Sequence, residues 1–127
     1  MANERTITAH FCKDKRYFEN SIGAEFRYTA FTGPYEYLLG ALAGCFFATL
    51  DSFERKRGWE KVSITVRGIK REEVPTTLRN TYMDIEAYGV EDREEFEELA
   101  KKAQDACSIY RTISEVSDIS VDITYKE

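Results

Sequence analysis

The run Tyr37-Leu38-Leu39-Gly40-Ala41-Leu42-Ala43-Gly44-Cys45-Phe46-Phe47-Ala48-Thr49-Leu50 is apolar on nearly every side of a helix, and it stands in a chain of only 127 residues. A helix apolar all round must be surrounded by protein rather than lie on a surface. It is too short to span a bilayer, which takes about 20 residues. Gly40 and Gly44 each cost about 1 kcal/mol relative to Ala inside a helix, a cost that close approach of another backbone would offset. So small a chain has little of its own to wrap such a helix, and the pattern predicts an obligate homodimer.

Thr32-Gly33-Pro34 opens this helix, with Pro suited to a first helical position and Glu36 in the first turn. Arg55-Lys56-Arg57-Gly58 carries the cations and glycine expected at a C-terminus, so the helix is predicted to run to about Arg57. Before it the chain alternates as strands over 6–11, 16–22 and 25–31, with a turn at Ser21-Ile22-Gly23-Ala24. After it come strands over 62–73 and 77–88, divided by Val74-Pro75-Thr76. A second helix opens at Asp92 with Glu95 at capping-box spacing. Phe96, Ala100, Ala103, Cys107 and Tyr110 form its apolar stripe, while Glu97–Lys101 and Glu98–Lys102 lie on its wet side. Residues 119–125 alternate as a last strand. The order βββ-α-ββ-α-β predicts an α+β fold, a single domain over 1–127 with antiparallel sheets around a buried central helix.

Hydrophobic residues at 43% and charged residues at 32% exclude a disordered chain. A net charge of −5 offers no footprint for nucleic acid or an anionic membrane surface. Met1-Ala2-Asn3-Glu4-Arg5 has no apolar segment behind it and does not read as a signal peptide. Three cysteines without such a signal point to reduced or reactive thiols in the cytoplasm. Cys45 and Cys107, each on an apolar helix, read as a redox pair; the competing reading is two small core residues. His10 and Cys12 lack a close cysteine pair to anchor zinc, so neither a metal nor a cofactor is expected.

Pro34-x-Glu36-x-Leu38-Leu39-x-x-Leu42-Ala43-Gly44-Cys45, with Ala106-Cys107-x-x-x-x-Ile113 before a terminal strand, resembles the OsmC/Ohr family of osmotically inducible and organic hydroperoxide resistance proteins. The likeness runs from residue 5 to 125. It implies an OsmC-like fold in an intertwined homodimer, with central helices back to back and active sites across the interface. It also implies a thiol peroxidase acting on organic hydroperoxides and recycled by a dithiol reductant, such as a lipoylated protein. Cys45 would attack the peroxide and Cys107 would resolve the product to a disulfide. The chain departs from the pattern at Ser108, where the family commonly has Pro, and in the extra thiol Cys12.

A buried thiol resists ionisation, and Cys45 lies too far along its helix for the N-terminal dipole to help. A guanidinium from elsewhere would serve; the resemblance points to Arg27, with Arg16 the alternative. Glu36 would either hold that arginine or act only as a first-turn anion. Tyr110, Phe46, Phe47, Phe53 and Trp59 are core residues first and candidates to accept an apolar peroxide tail second. The alternative function is a non-catalytic dimer of the same fold that binds a small apolar ligand, or a redox sensor.

Overall fold

Alternating residues after Arg5 form β1 (Ile7–Phe11), β2 (Arg16–Asn20) and β3 (Glu25–Arg27) in a computed structural model that describes residues 4–127. The expectation that Met1, Ala2 and Asn3 begin no leader lies outside the described residues. The three strands make an antiparallel sheet with β2 at its centre. Between β2 and β3, Asn20 Oδ1 accepts from the Ile22 and Ala24 N–H groups, and Gly23 takes φ +87°, a conformation that glycine alone adopts cheaply. The third strand ends at Arg27, short of the expected 31. Thr29 Oγ1 accepts from the Phe31 and Thr32 N–H groups at 3.1 Å and lies 2.8 Å from Thr32 Oγ1, a local alternative to the ladder. One face of the sheet gathers rings: Phe18 stacks on Phe26 at 4.7 Å, with Tyr28 and Tyr37 against it.

Helix α1 (Pro34–Phe53) follows, and the chain's contacts divide at it into two compact units, one ending at Leu38 and one beginning at Leu39. The helix stops at Phe53 rather than Arg57 because the basic segment is used elsewhere. The Arg57 guanidinium lies 3.9 Å from the centre of the Trp59 ring, and Trp59 Nε1 donates to Glu54 at 2.7 Å. Within one chain α1 is buried along one edge. Leu42, Phe46 and Leu50 are buried, one turn apart along a single edge, but Gly40, Ala41, Gly44 and Ala48 are exposed. A Cβ at Gly40 or Gly44 would meet nothing within 4 Å in this chain. Within the chain a close approach occurs at Gly68, where a Cβ would fall 2.7 Å from Leu78 Cδ2 and 3.4 Å from Leu39 Cδ2.

The second unit continues with β4 (Lys61–Lys70), β5 (Leu78–Tyr88), α2 (Arg93–Ala106), α3 (Ser108–Ser114) and β6 (Asp118–Lys126). Strand β5 is central, and its inward residues Met83, Ile85 and Ala87 are each at most 1% exposed. In register they stand between Val66 and Val121, Ile64 and Ile123, and Val62 and Tyr125. Burial of the Met83 and Ile85 side chains contributes about 1.5–3 kcal/mol each. The other side of α2 supplies Phe96, Leu99, Ala100 and Ala103, and Asp92 caps it by accepting from the Glu95 N–H at 3.1 Å.

Two expectations change here. The sheet is antiparallel at β4–β5 but parallel at β5–β6. The helical connection between β5 and β6 carries the chain back to the starting end, the crossover that parallel pairing requires. The second predicted helix is also two, broken at Cys107.

Candidate functional site

Cys107 closes α2 and opens α3 from an extended backbone, φ −72° and ψ 116°. Its N–H donates to the Ala103 carbonyl at 2.8 Å, finishing α2, and its Sγ accepts from the Tyr110 N–H at 3.4 Å, starting α3. The sulfur thus occupies the place of a Ser or Asp side chain at a helix start. This corrects its expected position on a helical stripe: the thiol is a wholly buried cap between two helices.

Cys45 stands beside buried Phe46 in the fourth turn of α1 and is itself half-buried. Its Sγ lies 3.9 Å from the hydroxyl of Ser108, the first residue of α3, and its carbonyl accepts from Thr49 Oγ1 at 2.8 Å. Both cysteines are free thiols, and each perturbs the other's ionisation. Burial pushes the Cys45 thiol up, but the Ile109 backbone N–H, the Cys107 thiol and the Ser108 hydroxyl outweigh it, leaving Cys45 below the ordinary value. Burial likewise pushes Cys107 up; the Tyr110 N–H opposes this, while donation to Cys45 and the charge there reinforce it. The Cys45 thiol therefore ionises before its neighbour Cys107. Donors from the junction of α2 and α3 favour the Cys45 anion.

Of the sequence-predicted site residues, the fold brings Cys45 and Cys107 together in the second unit. Arg27 and Glu36 belong to the first. Arg27 ends β3 opposite Tyr17 and is exposed, as is Arg16 opposite Phe11. The Arg27 carbonyl accepts from Tyr37 Oη and from Thr32 Oγ1. Glu36 Oε1 accepts from the Gly33 N–H at 2.7 Å, the reach-back of a capping box, so its carboxylate serves as a first-turn anion. Phe46 is fully buried core and packs on Tyr110 at 6.2 Å, while Phe47 meets Trp59 edge-on at 5.4 Å. Phe53 is 41% exposed. A cavity of about 110 Å³ lined by Trp59, Val90, Phe96 and Leu99 among others includes neither thiol.

His10 lies against Tyr17 and 3.8 Å from Glu19, and Cys12 is exposed at the β1–β2 turn. Among the described residues no three His, Cys, Asp or Glu side chains gather to hold a metal, and no helix is long and apolar enough to cross a membrane. The residue that sequence reasoning missed as a participant is Ser108. It was visible only as a polar substitution beside a cysteine, and nothing local places it against a helix so distant in sequence.

A model of the OsmC-like protein family matches residues 28–122. No curated protein sequence matches the chain. Among solved structures, an OsmC-like protein from Mycoplasma pneumoniae superposes with a TM-score of 0.83 at 19% identity, covering 100% of both chains. A hypothetical protein from Aquifex aeolicus gives 0.83 at 15% identity over 98% of each chain. The organic hydroperoxide resistance protein OhrB of Bacillus subtilis gives 0.69 at 16% identity, covering 95% of this chain and 98% of its own.

Proposed function

This chain belongs to the OsmC-like protein family, and from that premise we propose that it is a thiol peroxidase that reduces organic hydroperoxides. The observation that carries the reading is the pairing of two free thiols with opposite proton preferences, Cys45 lowered and Cys107 raised. The Cys45 thiolate attacks the terminal peroxide oxygen, the O–O bond breaks, and the alkoxide leaves and takes up a proton as the alcohol. Cys45 is left as a sulfenic acid. Cys107, as its thiolate, then attacks that sulfur and displaces hydroxide, which leaves as water once protonated, and a Cys45–Cys107 disulfide forms. A dithiol reductant, such as a lipoylated protein of the cytoplasm, accepts the oxidation and restores both thiols.

Arg27 is proposed to supply the cation for the Cys45 thiolate and to face a peroxide oxygen, with Arg16 the alternative; Glu36 supports that segment through its bond to Gly33. The working form is proposed to be a homodimer. Gly40, Ala41, Gly44 and Ala48 are an exposed face of small residues on an otherwise apolar helix, suited to a second copy's helix. Residues 1–127 are taken as one OsmC/Ohr-like domain, because the family match runs across both compact units.

The test is mass spectrometry of the reduced chain after one equivalent of cumene hydroperoxide. The expected result is loss of two thiols per chain and a Cys45–Cys107 disulfide. An unmodified Cys45 peptide would remove the peroxidase reading. The same disulfide without turnover under excess dithiol would leave a redox sensor.

A further inference from the structure

The start of α3 does more than cap a helix. Cys107 fixes its first turn through the Tyr110 N–H, and Thr112 Oγ1 donates to the Ser108 carbonyl at 2.9 Å, so the backbone around Ser108 is held from both sides. From that position the Ser108 hydroxyl stands 3.9 Å from Cys45 Sγ. A hydroxyl is both donor and acceptor, so it can accept from a thiol and turn to donate to a thiolate. A contact that is long in the neutral state shortens when the acceptor becomes an anion, because hydrogen bonds to charged acceptors are shorter and about twice as strong.

We propose that Ser108 is a third member of the thiol site, its hydroxyl donating to the Cys45 sulfur and stabilising the thiolate for attack. The proposal rests on the peroxidase reading for its purpose but not for its test. Among the described residues, Cys107 is the titratable group that faces Cys45 from the α2–α3 junction, and beyond it Cys107 helps raise the Tyr110 phenol. The Ile109 N–H comes from the same turn, so α3 presents two neighbouring donors to one sulfur. Ser108 is exposed, so its hydroxyl can be removed without opening the core.

The experiment is the pH dependence of Cys45 alkylation by iodoacetamide, read on the Cys45 peptide, in wild type, Ser108→Ala, Ser108→Pro and Ser108→Thr. Proline suits a first helical position, so Ser108→Pro keeps the helix start while deleting the hydroxyl. In Ala and Pro variants the Cys45 midpoint should rise by about one pH unit, which lowers the thiolate fraction about tenfold below the midpoint. The remaining thiolate is more nucleophilic, so the observed rate should fall only about threefold. Ser108→Thr should stay near wild type. A midpoint unchanged in both Ala and Pro variants, or shifted equally in Thr, overturns the proposal. Peroxide is absent from this assay, so a chain that consumed no peroxide would still show the shift if Ser108 acts as stated.

Discussion

The two compact units are built from similar alternating strands and come out differently. In the unit ending at Leu38 no described residue is buried, and Ile7, Phe11, Ile22 and Phe31 are 53%, 69%, 88% and 91% exposed. Its three short strands are tied by turn chemistry and by rings that stack on one another. In the unit from Leu39 onward, β5 has a strand on each side and helices supply a second layer, so Leu42, Phe46, Met83, Ala87, Ala103 and Cys107 reach zero exposure. A sheet of three short strands is marginal alone, whereas a sheet backed by helices carries a core. The difference bears on chemistry. The unit with a core can bury a thiol and hold its neighbour, whereas the unit without one supplies side chains that act only if something else covers or receives them.

The strongest way to break this contrast is to remove the thiols. Cys45→Ser should reduce hydroperoxide consumption, followed as loss of dithiol, to the uncatalysed background. Cys107→Ser should permit one turnover and leave a sulfenic acid at Cys45 that over-oxidises, visible as added oxygen in the intact mass. Full activity in Cys45→Ser would detach the chemistry from that thiol.

Next in size is a direct comparison of packing. Phe46→Ala should cost about 3–5 kcal/mol in urea unfolding, because it empties a fully enclosed site. Phe11→Ala, at a site 69% exposed, should cost less than about 1 kcal/mol. Equal costs would mean that a partner copy covers the first unit, which sharpens the dimer proposal. Gly44→Leu addresses the same question on α1. Within one chain the added side chain has open space and should favour the helix by about 0.8 kcal/mol. Across a helix–helix interface it should clash, so sedimentation should show monomer where the wild type is dimeric.

Smaller effects separate the proposed roles. Arg27→Ala should slow reaction with an organic hydroperoxide about tenfold with little change in unfolding, and Arg16→Ala should do much less. If Arg16→Ala is the slower variant, the arginine assignment moves and the thiol chemistry stands. The smallest effect is on stability against pH. The Cys107 thiol is raised above 9.0, so its contribution is fully present below that pH and is lost as pH climbs through the folded value. Cys45 is lowered, so its contribution is present above 9.0 and lost as pH falls through its folded value. Urea midpoints above about pH 9 should therefore decline less steeply in Cys107→Ala than in wild type. Across the same range iodoacetamide should label Cys45 before Cys107.

Elements whose cause is local were legible in the residues themselves. Pro34 with Glu36 marked the start of α1 because a fixed φ and a carboxylate three residues past Gly33 act within one turn. Asp92 with Glu95 did the same for α2, and the alternation of 77–88 placed β5 within a residue of its observed start. Cys45 and Cys107 were picked out as a pair from their setting and from the family resemblance, not from any local force between them. What only the tertiary structure decided depends on partners far along the chain. Arg57 and Glu54 were claimed by Trp59, so α1 stopped early. The parallel pairing of β6 depends on how α2 and α3 cross the sheet, and a strand's own alternation does not encode its direction. The break at Cys107 turns a continuous apolar stripe into a cap, and that break is what sets Ser108 and Ile109 facing Cys45. Which thiol ionises first follows from those donors against burial, a balance of through-space interactions that sequence distance conceals.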